Sequence, residues 1–543
     1  MTNGAGVPDN LALARHHGLA DLLRRSARRT PDKTALVYGE LRQSYAELHE
    51  TVSRGADALA ERGIRCGDRV ALHSHNSHQF VVACLALARL GAIVVPVNFM
   101  LGPEEVAFVL EHSGAIGVIA EDELVPVAAR ALDRMVDADA VRLRIVMSDA
   151  DADPAAGWEA FGPLMNHPDA REPVVLIDDD EPVALLYTSG TESRPKGAAL
   201  TSRSVIAQFV SCIVDGEMTA DDIEIHSLPL YHCAQLYCFL MPGLYLGATN
   251  VVLPRPDPAA ILAGIEREQA TKLFCPPTVW IGLLRHPDFD RRDLSSLRKG
   301  YYGASAMPVE VLREIMDRLP NVRLFNFYGQ TEMSPMATLL RPEDQLRKAG
   351  SAGRAALNVE TLVVDDADRP VPAGVVGEIV HRSPHAMLGY WNAPEKTAET
   401  FANGWFHSGD LGVFDAEGYL SVVDRKKDMI KTGGENVASR EVEEVLYAHP
   451  AVQEVAIFGV PDPKWIEAVT AAVVLREGQR LAPEELITYC RERLAGFKAP
   501  QHVVVLDALP KNASGKILKR ELRSRFETLT TDRPQAIRGR RSG

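Results

Sequence analysis

The chain has 543 residues, of which 46% are hydrophobic and 24% charged, and its formal net charge is -14. That length is too great for one ordinary domain and suits roughly two to four. The acidic balance excludes nucleic acid as the main partner, which would need a basic face, while leaving room for a local basic channel that holds a polyphosphate. Seven cysteines, with no C-x-x-C pair among them, indicate neither a disulfide framework nor a zinc site. Reduced thiols in a cytoplasmic enzyme are the expectation.

Residues 1–15 read as a flexible tail without the apolar segment of a secretory signal. Apolar runs then alternate: VALHS (70–74), a helical stretch near 80–90, AIVVPV (92–97), GVIA (117–120) and LRIVMS (143–148). The run from Phe80 to Val97 has the length of a membrane span but is broken by Arg89 and Gly91. A buried helix followed by a strand fits it better, since no β-branched run follows Val82 until IVVPV. This alternation predicts layered α/β subdomains with largely parallel sheets. From Thr361 onward, TLVVDD, GEIVHRS and YLSVVDR are short strands between Gly, Pro and Asp turns, as in a small β-rich subdomain at about 350–423. Five charges, Asp424 to Asp428, then interrupt the strand-like sequence. Beyond them comes an α+β pattern: a helix from Ser439 ended by Pro450, strands VQEVAIFGV and VTAAVVL, a helix with Pro483 near its start running to Gly496, and strand HVVVL. The expected organisation is therefore a large N-terminal domain (16–423), a hinge at Asp424, a small C-terminal α+β domain (425–527) and a tail (528–543). No repeat of solenoid period occurs, and the terminal Arg-Ser-Gly carries no peroxisomal or lipidation address.

The most informative stretch is Tyr187–Gly197, YTSGTESRPKG. Its hydroxyl and glycine residues, closed by Pro195-Lys196-Gly197, suit a mobile phosphate-binding loop. The apolar run Val183–Leu186 before it suits a buried strand, and Ser202-Arg203-Ser204 after it reads as a helix start with a serine cap. Strand, loop and helix together form an architecture for a triphosphate. It is not the common P-loop, which requires Gly-Lys-Ser/Thr.

Six further motifs follow in order: LPLYH (228–232), YYGASAMP (301–308), NFYGQTEMSP (326–335), GWFHSGD (404–410), DRKKDMIKTGGENV (424–437) and LPKNASGKILKR (509–520). With them the chain resembles the adenylate-forming superfamily of acyl-CoA synthetases, peptide-synthetase adenylation domains and luciferases, over residues from about 20 to 525. The resemblance implies that a carboxylate and ATP give an acyl adenylate and pyrophosphate. Two anions must meet, so the site has to neutralise and orient both. The resemblance assigns Thr188, Ser189, Gly190, Thr191 and Lys196 to the β- and γ-phosphates, Thr331 to the α-phosphate and Glu332 to Mg²⁺. Tyr328 offers a face to adenine, with Gly303, Ala304 and Gly329 beside it. Asp410 takes the ribose hydroxyls, and Arg425 supports the ribose or phosphate side. Lys516 is the catalytic cation, brought in by the small domain. After adenylation that domain swings at Asp424, Lys516 leaves, and Gly433, Gly434 and Glu435 line a tunnel for the thiol of coenzyme A. For Lys516, Glu332 and Asp410 the ordinary alternatives are a solvated lysine, a surface acid near a helix start and a turn aspartate; the surrounding motifs favour function. The loop departs from the family pattern at Glu192-Ser193, where Thr-Gly is common.

The acid itself is read from LPLYHCAQL. Amino-acid-activating relatives carry an aspartate here to pair with the ammonium; Tyr231 to Gln235 contain no acid. A carboxylic acid without an α-amine, fatty or aryl, is implied. His232 matches the gate position of acyl- and aryl-CoA ligases, with a packed core histidine as the alternative. His232, Cys233, Gln235, Leu236, Met333, Ser334 and Met336 are expected to border the acyl pocket, the methionines suiting apolar acids of several shapes. The implied function is an AMP-forming acid:CoA ligase using ATP, Mg²⁺ and coenzyme A, with no nucleic-acid partner and no membrane span; a homodimer is compatible with the chain. An acceptor other than coenzyme A (a carrier protein, an amine, or nitrite activated for diazotisation) is the second reading, and a relative that has lost catalysis is the third.

Overall fold

The computed structural model describes residues 10–148, 156–173, 175–188, 195–305, 307–426, 428–432, 435–463, 465–511, 517–527 and 529. Of the expected site, Ser189, Gly190, Thr191, Gly433, Gly434 and Lys516 lie outside these residues, as do Glu192-Ser193. The chain forms two compact units. The first comprises Met1–Met307, Val311–Thr361 and Val380–His407; the second comprises Pro308–Glu310, Leu362–Ile379 and Ser408–Gly543. Within the expected N-terminal tail, Asn10–Arg15 forms a short helix.

The apolar alternation seen in the sequence builds two large sheets in the first unit. In the eight-stranded one, Arg69–His73 pairs in parallel with Ile93–Val97 on one side and Gly117–Glu121 on the other. The long run from Phe80 divides as its composition dictates, into helix His78–Arg89 and strand Ile93–Val97. Every helix residue after His78 is buried, which marks a core helix rather than an amphipathic one. Ser77 starts it by accepting the Phe80 N–H at 3.1 Å. Among the described residues, no helix is long and apolar enough to cross a membrane.

The nine-stranded sheet has parallel strands Ile223–His226, Lys272–Phe274, Lys299–Gly303 and Arg323–Gly329 at its centre, continued by antiparallel Met336–Leu340. The carboxyl ends of Lys299–Gly303 and Arg323–Gly329 carry two of the sequence motifs, the usual place for a ligand in an open α/β sheet. Within this sheet Lys272, paired in register with Glu224, is 1% exposed, and its ammonium lies 2.8 Å from Glu224 Oε2. Burial pushes the Glu224 carboxyl up to about 7 against the pull of Lys272.

The loop motif differs in one respect from its sequence reading. Lys196–Thr201 is a strand, antiparallel to Pro182–Thr188 from Thr188↔Lys196 to Pro182↔Thr201. The loop therefore joins two strands of a hairpin, and the helix Ser202–Asp215 begins only after the second. Gly197-Ala198-Ala199-Leu200 is small and apolar and fits a buried strand. The cap is also Thr201, one residue before the expected serine: its hydroxyl accepts from Ser204 N–H while Ser204 Oγ accepts from Thr201 N–H.

The second unit holds most of a four-stranded sheet in the order Glu360–Val364, Gly377–Arg382, Phe406–Phe414, Leu420–Arg425. The short strands expected in the large domain thus gather mainly with the C-terminal residues. A five-stranded sheet centres on the hairpin Val452–Asp462 and Ile466–Leu475, with His502–Val505 parallel to the latter. Helices Ser439–Tyr447, Pro483–Arg491 and Lys519–Arg525 complete the unit. Pro483 stands in the first turn, and the helix ends five residues before the expected Gly496.

Candidate functional site

In the first unit, strand pairing sets Thr188 opposite Lys196 at the mouth of the loop. Gly303 and Gly329 end adjacent parallel strands, and neither tolerates a side chain. A Cβ on Gly303 would stand 2.4 Å from Phe327 O, and one on Gly329 would stand 1.9 Å from Pro335 O. Ala304 is held at φ 64, a left-handed conformation that costs an L-residue about 1–2 kcal/mol. Tyr328 is half-buried, its ring 6.3 Å from that of His381. Beyond Gly329 the chain turns tightly over Thr331–Met333: Met333 N–H donates to Gln330 O at 2.8 Å, and Ser334 N–H to Thr331 O at 3.0 Å. Thr331 and Glu332 stand half-buried on this turn.

The LPLYHCAQL segment meets the same turn. Cys233 Sγ is 3.2 Å from Thr331 Oγ1, and burial pushes the Cys233 thiol up, so it stays protonated. His232 Nδ1 accepts the Ala234 N–H at 3.3 Å, which assigns the neutral ring's proton to Nε2. From Ala234 to Leu240 the chain forms a seven-residue π-helix, a form often found at functional sites.

The other expected pocket residues are engaged internally. Gln235 is fully buried; its amide N–H donates to His226 Nδ1 at 2.7 Å, and His226 Nε2 donates to Asn250 Oδ1 at 3.0 Å. Ser334 is fully buried and donates to His385 O at 2.7 Å. Leu236, Met333 and Met336 are buried, with Met336 Sδ 3.8 Å from Cys212 Sγ.

In the second unit, Asp410 is 4% exposed on strand Phe406–Phe414, with Arg425 Nε 3.1 Å from its Oδ1. The pairing follows from register, since Asp410 lies opposite Arg425. Asp424 uses both carboxylate oxygens: Oδ1 accepts from Arg425 N–H at 2.8 Å and Oδ2 from Ser439 N–H at 2.6 Å. It therefore satisfies an orphan amide at the start of helix Ser439–Tyr447. Glu435 is exposed, opposite Thr432 in a short antiparallel pair.

Two residues that sequence reading passed over stand near these residues of the first unit. His385 Nδ1 donates to Met336 O at 2.9 Å and its Nε2 accepts from Ser211 Oγ at 3.0 Å, while burial holds it neutral with a pKa near 4. Tyr390 donates to Glu332 Oε1 at 2.8 Å. Neither sits in a motif whose residue types declare a chemistry, and the Gly389-Tyr390-Trp391 tripeptide was the available signal.

On the Thr331–Met333 turn Glu332 offers a carboxylate and Thr331, the residue before it, a hydroxyl. Among the described residues, a group with metal-ligand geometry occurs at His75, Glu121 and Glu123 and does not include Glu332. A lone carboxylate beside a hydroxyl fits a hard ion that takes most of its ligands from phosphate and water, as Mg²⁺ does.

Comparison with known proteins bears on the family and the fold. The model of the AMP-binding enzyme family matches residues 23–391, and that of the AMP-binding enzyme C-terminal domain matches 441–516. A feruloyl-CoA synthase of Amycolatopsis sp is 38% identical over 94% of this chain and 100% of its own length. An indoleacetate–CoA ligase of Aromatoleum aromaticum is 36% identical over 93% and 97%. The crystal structure of the anthranilate CoA ligase AuaEII in complex with anthranoyl-AMP superposes with a TM-score of 0.87 at 27% identity, covering 95% of this chain and 98% of that one.

Proposed function

The chain belongs to the AMP-binding enzyme family, in its acyl-CoA synthetase branch, and from that premise we propose how its residues join a carboxylic acid to coenzyme A. The acid lacks an α-amine, and aromatic acids are the first to test, because relatives along the full length are named for feruloyl and indoleacetyl substrates. A carboxylate oxygen attacks the α-phosphorus of ATP, the bond to the bridging oxygen breaks, and pyrophosphate leaves. The thiol of coenzyme A, losing its proton, then attacks the acyl carbonyl and AMP departs. Ionic repulsion opposes the first step, so positive charge must be aimed at the phosphates.

The single observation that supports this reading best is the 3.2 Å contact between Cys233 and Thr331. It joins the acid-side segment to the phosphate-side turn at one point, where a carboxylate and an α-phosphate have to meet. Lys196 and the loop it closes take the β- and γ-phosphates. Thr331 donates to the α-phosphate, and Tyr328, Gly303, Ala304 and Gly329 border the adenine. Thr331 and Glu332 would hold Mg²⁺ with the phosphates, and the ion would neutralise part of their charge. Asp410 and Arg425 serve the ribose. His232, with its proton on Nε2, stands as gate to the acid. Lys516 arrives for adenylation and withdraws for thioester formation, when Gly433, Gly434 and Glu435 border the thiol's path; Asp424 is the point of rearrangement.

Acid-dependent exchange of labelled pyrophosphate into ATP, without coenzyme A, tests the first step. Ferulate, indoleacetate, anthranilate and a long-chain fatty acid form the panel; exchange with at least one, and none without acid, is expected. Lys516→Ala should abolish exchange yet retain thioester formation from supplied acyl adenylate. Equal loss of both half-reactions would refute the assignment of Lys516.

A further inference from the structure

The segment Met387–Trp391 straps together two parts of the site that are distant in sequence. Leu388 N–H donates to Ala199 O at 2.9 Å and Trp391 N–H to Gly197 O at 2.8 Å, so Gly389-Tyr390 runs antiparallel to the strand that leaves the phosphate loop. At its other end, Met387 N–H donates to Glu332 O at 2.8 Å. Thr397 locks the strap from outside, its Oγ1 accepting the Tyr390 N–H at 2.9 Å. A Cβ on Gly389 would approach Thr397 Cγ2 to 2.8 Å, so the lock depends on glycine there.

The strap presents Tyr390 to both charged groups. Its hydroxyl donates to Glu332 Oε1 at 2.8 Å, and its ring lies under Lys196, whose ammonium is 5.5 Å from the ring centroid. That separation is within the reach of a cation–π attraction. A neutral hydroxyl fixes the rotamer of a carboxylate without cancelling its charge, whereas a lysine or arginine in the same place would compete with a metal ion. Likewise an aromatic face attracts an ammonium without offering it a counter-charge. One side chain can therefore touch an anion and a cation without adding a charge of its own.

We propose that Tyr390 is a positioning residue for the metal–nucleotide complex: its hydroxyl orients Glu332 toward Mg²⁺ and its ring seats Lys196 against the terminal phosphates. The proposal rests on the reading of Glu332 and Lys196 given above, and its test separates the two. Calorimetry on the full chain measures the affinity for α,β-methylene-ATP, which cannot be cleaved at the reacting bond, with saturating Mg²⁺ and with EDTA. The ratio of the two affinities is the metal-dependent gain. Glu332→Gln should bring that gain close to one. Tyr390→Phe, which keeps the ring and its packing, should reduce the gain roughly tenfold, the scale of one hydrogen bond to a charged group, and leave the metal-free affinity unchanged. Tyr390→Leu should in addition weaken metal-free binding several-fold, since Lys196 loses its seat. A normal gain in Tyr390→Phe beside a lost gain in Glu332→Gln overturns the role of Tyr390 alone. A normal gain in Glu332→Gln overturns the reading of Glu332 and the proposal with it. Equal weakening with and without metal in Tyr390→Phe reduces Tyr390 to general packing and also overturns it.

Discussion

At the scale of single residues, the site divides into side chains that declare their chemistry and side chains that serve them. Thr331, Glu332 and Asp410 could be proposed from the sequence alone because a hydroxyl or acid inside an ordered motif has few other uses. The bond from Gln235 to His226 could not, because Gln235 lies on a π-helix and His226 on a strand, and no local pattern joins them. Cys233 is intermediate: its position beside His232 was visible, but its bond to Thr331 was not. Cys233→Val is slightly larger and branched and removes the hydrogen bond, so kcat/KM for ATP should fall roughly fivefold, the equivalent of about 1 kcal/mol. Cys233→Ser should stay within about twofold of the native value. Steady-state kinetics with ATP varied at saturating acid gives the comparison, and native behaviour in the valine variant would detach Cys233 from Thr331.

At the scale of elements, composition separated the buried helix His78–Arg89 from its following strand, since β-branching changes along the run. It did not reveal the hairpin around the phosphate loop. Small residues such as Gly197, Ala198 and Ala199 carry little strand preference of their own, and pairing with Pro182–Thr188 decides their conformation. Asp424 shows the same limit: the charge run interrupts the strand-like sequence, but the capping bond to Ser439 appears only when the turn closes. Asp424→Ala should lower the stability of the C-terminal unit by about 1 kcal/mol, as loss of a helix cap does, and Asp424→Asn by less. Hydrogen exchange at the first amides of helix Ser439–Tyr447 measures this directly. Unchanged protection in the alanine variant would show that the cap contributes nothing.

At the scale of the whole molecule, alternating apolar runs foretold layered α/β sheets, and the ordered motifs foretold the family. The buried polar groups beneath the sheets were not legible, because nothing local marks a histidine as interior. His73 and His385 are held by burial near a pKa of 4, and His226 and His381 near 3. Their folded values lie below the unfolded one of about 6.5, so their stabilisation is present above that pH and is lost as pH falls toward 4. Glu224, raised to about 7, acts in the opposite sense: its contribution is present below the ordinary carboxylate range and fades as pH rises toward 7. Four histidines outweigh one carboxylate, so Tm should drop by roughly five degrees or more between pH 7.5 and pH 5. Calorimetric scans across that range test the balance, and a flat or rising Tm would contradict it.

Family membership and the Cys233–Thr331 junction lead to one chemical statement: the enzyme cleaves ATP between the α- and β-phosphates to link an acid to coenzyme A. Mass-spectrometric product counting, with Mg-ATP, coenzyme A and each acid of the aromatic and fatty panel, tests it most directly. Equal amounts of AMP, pyrophosphate and acyl-CoA thioester, all dependent on the acid, are the expected result. ADP as the nucleotide product, or AMP formed without thioester whether or not coenzyme A is present, would contradict it.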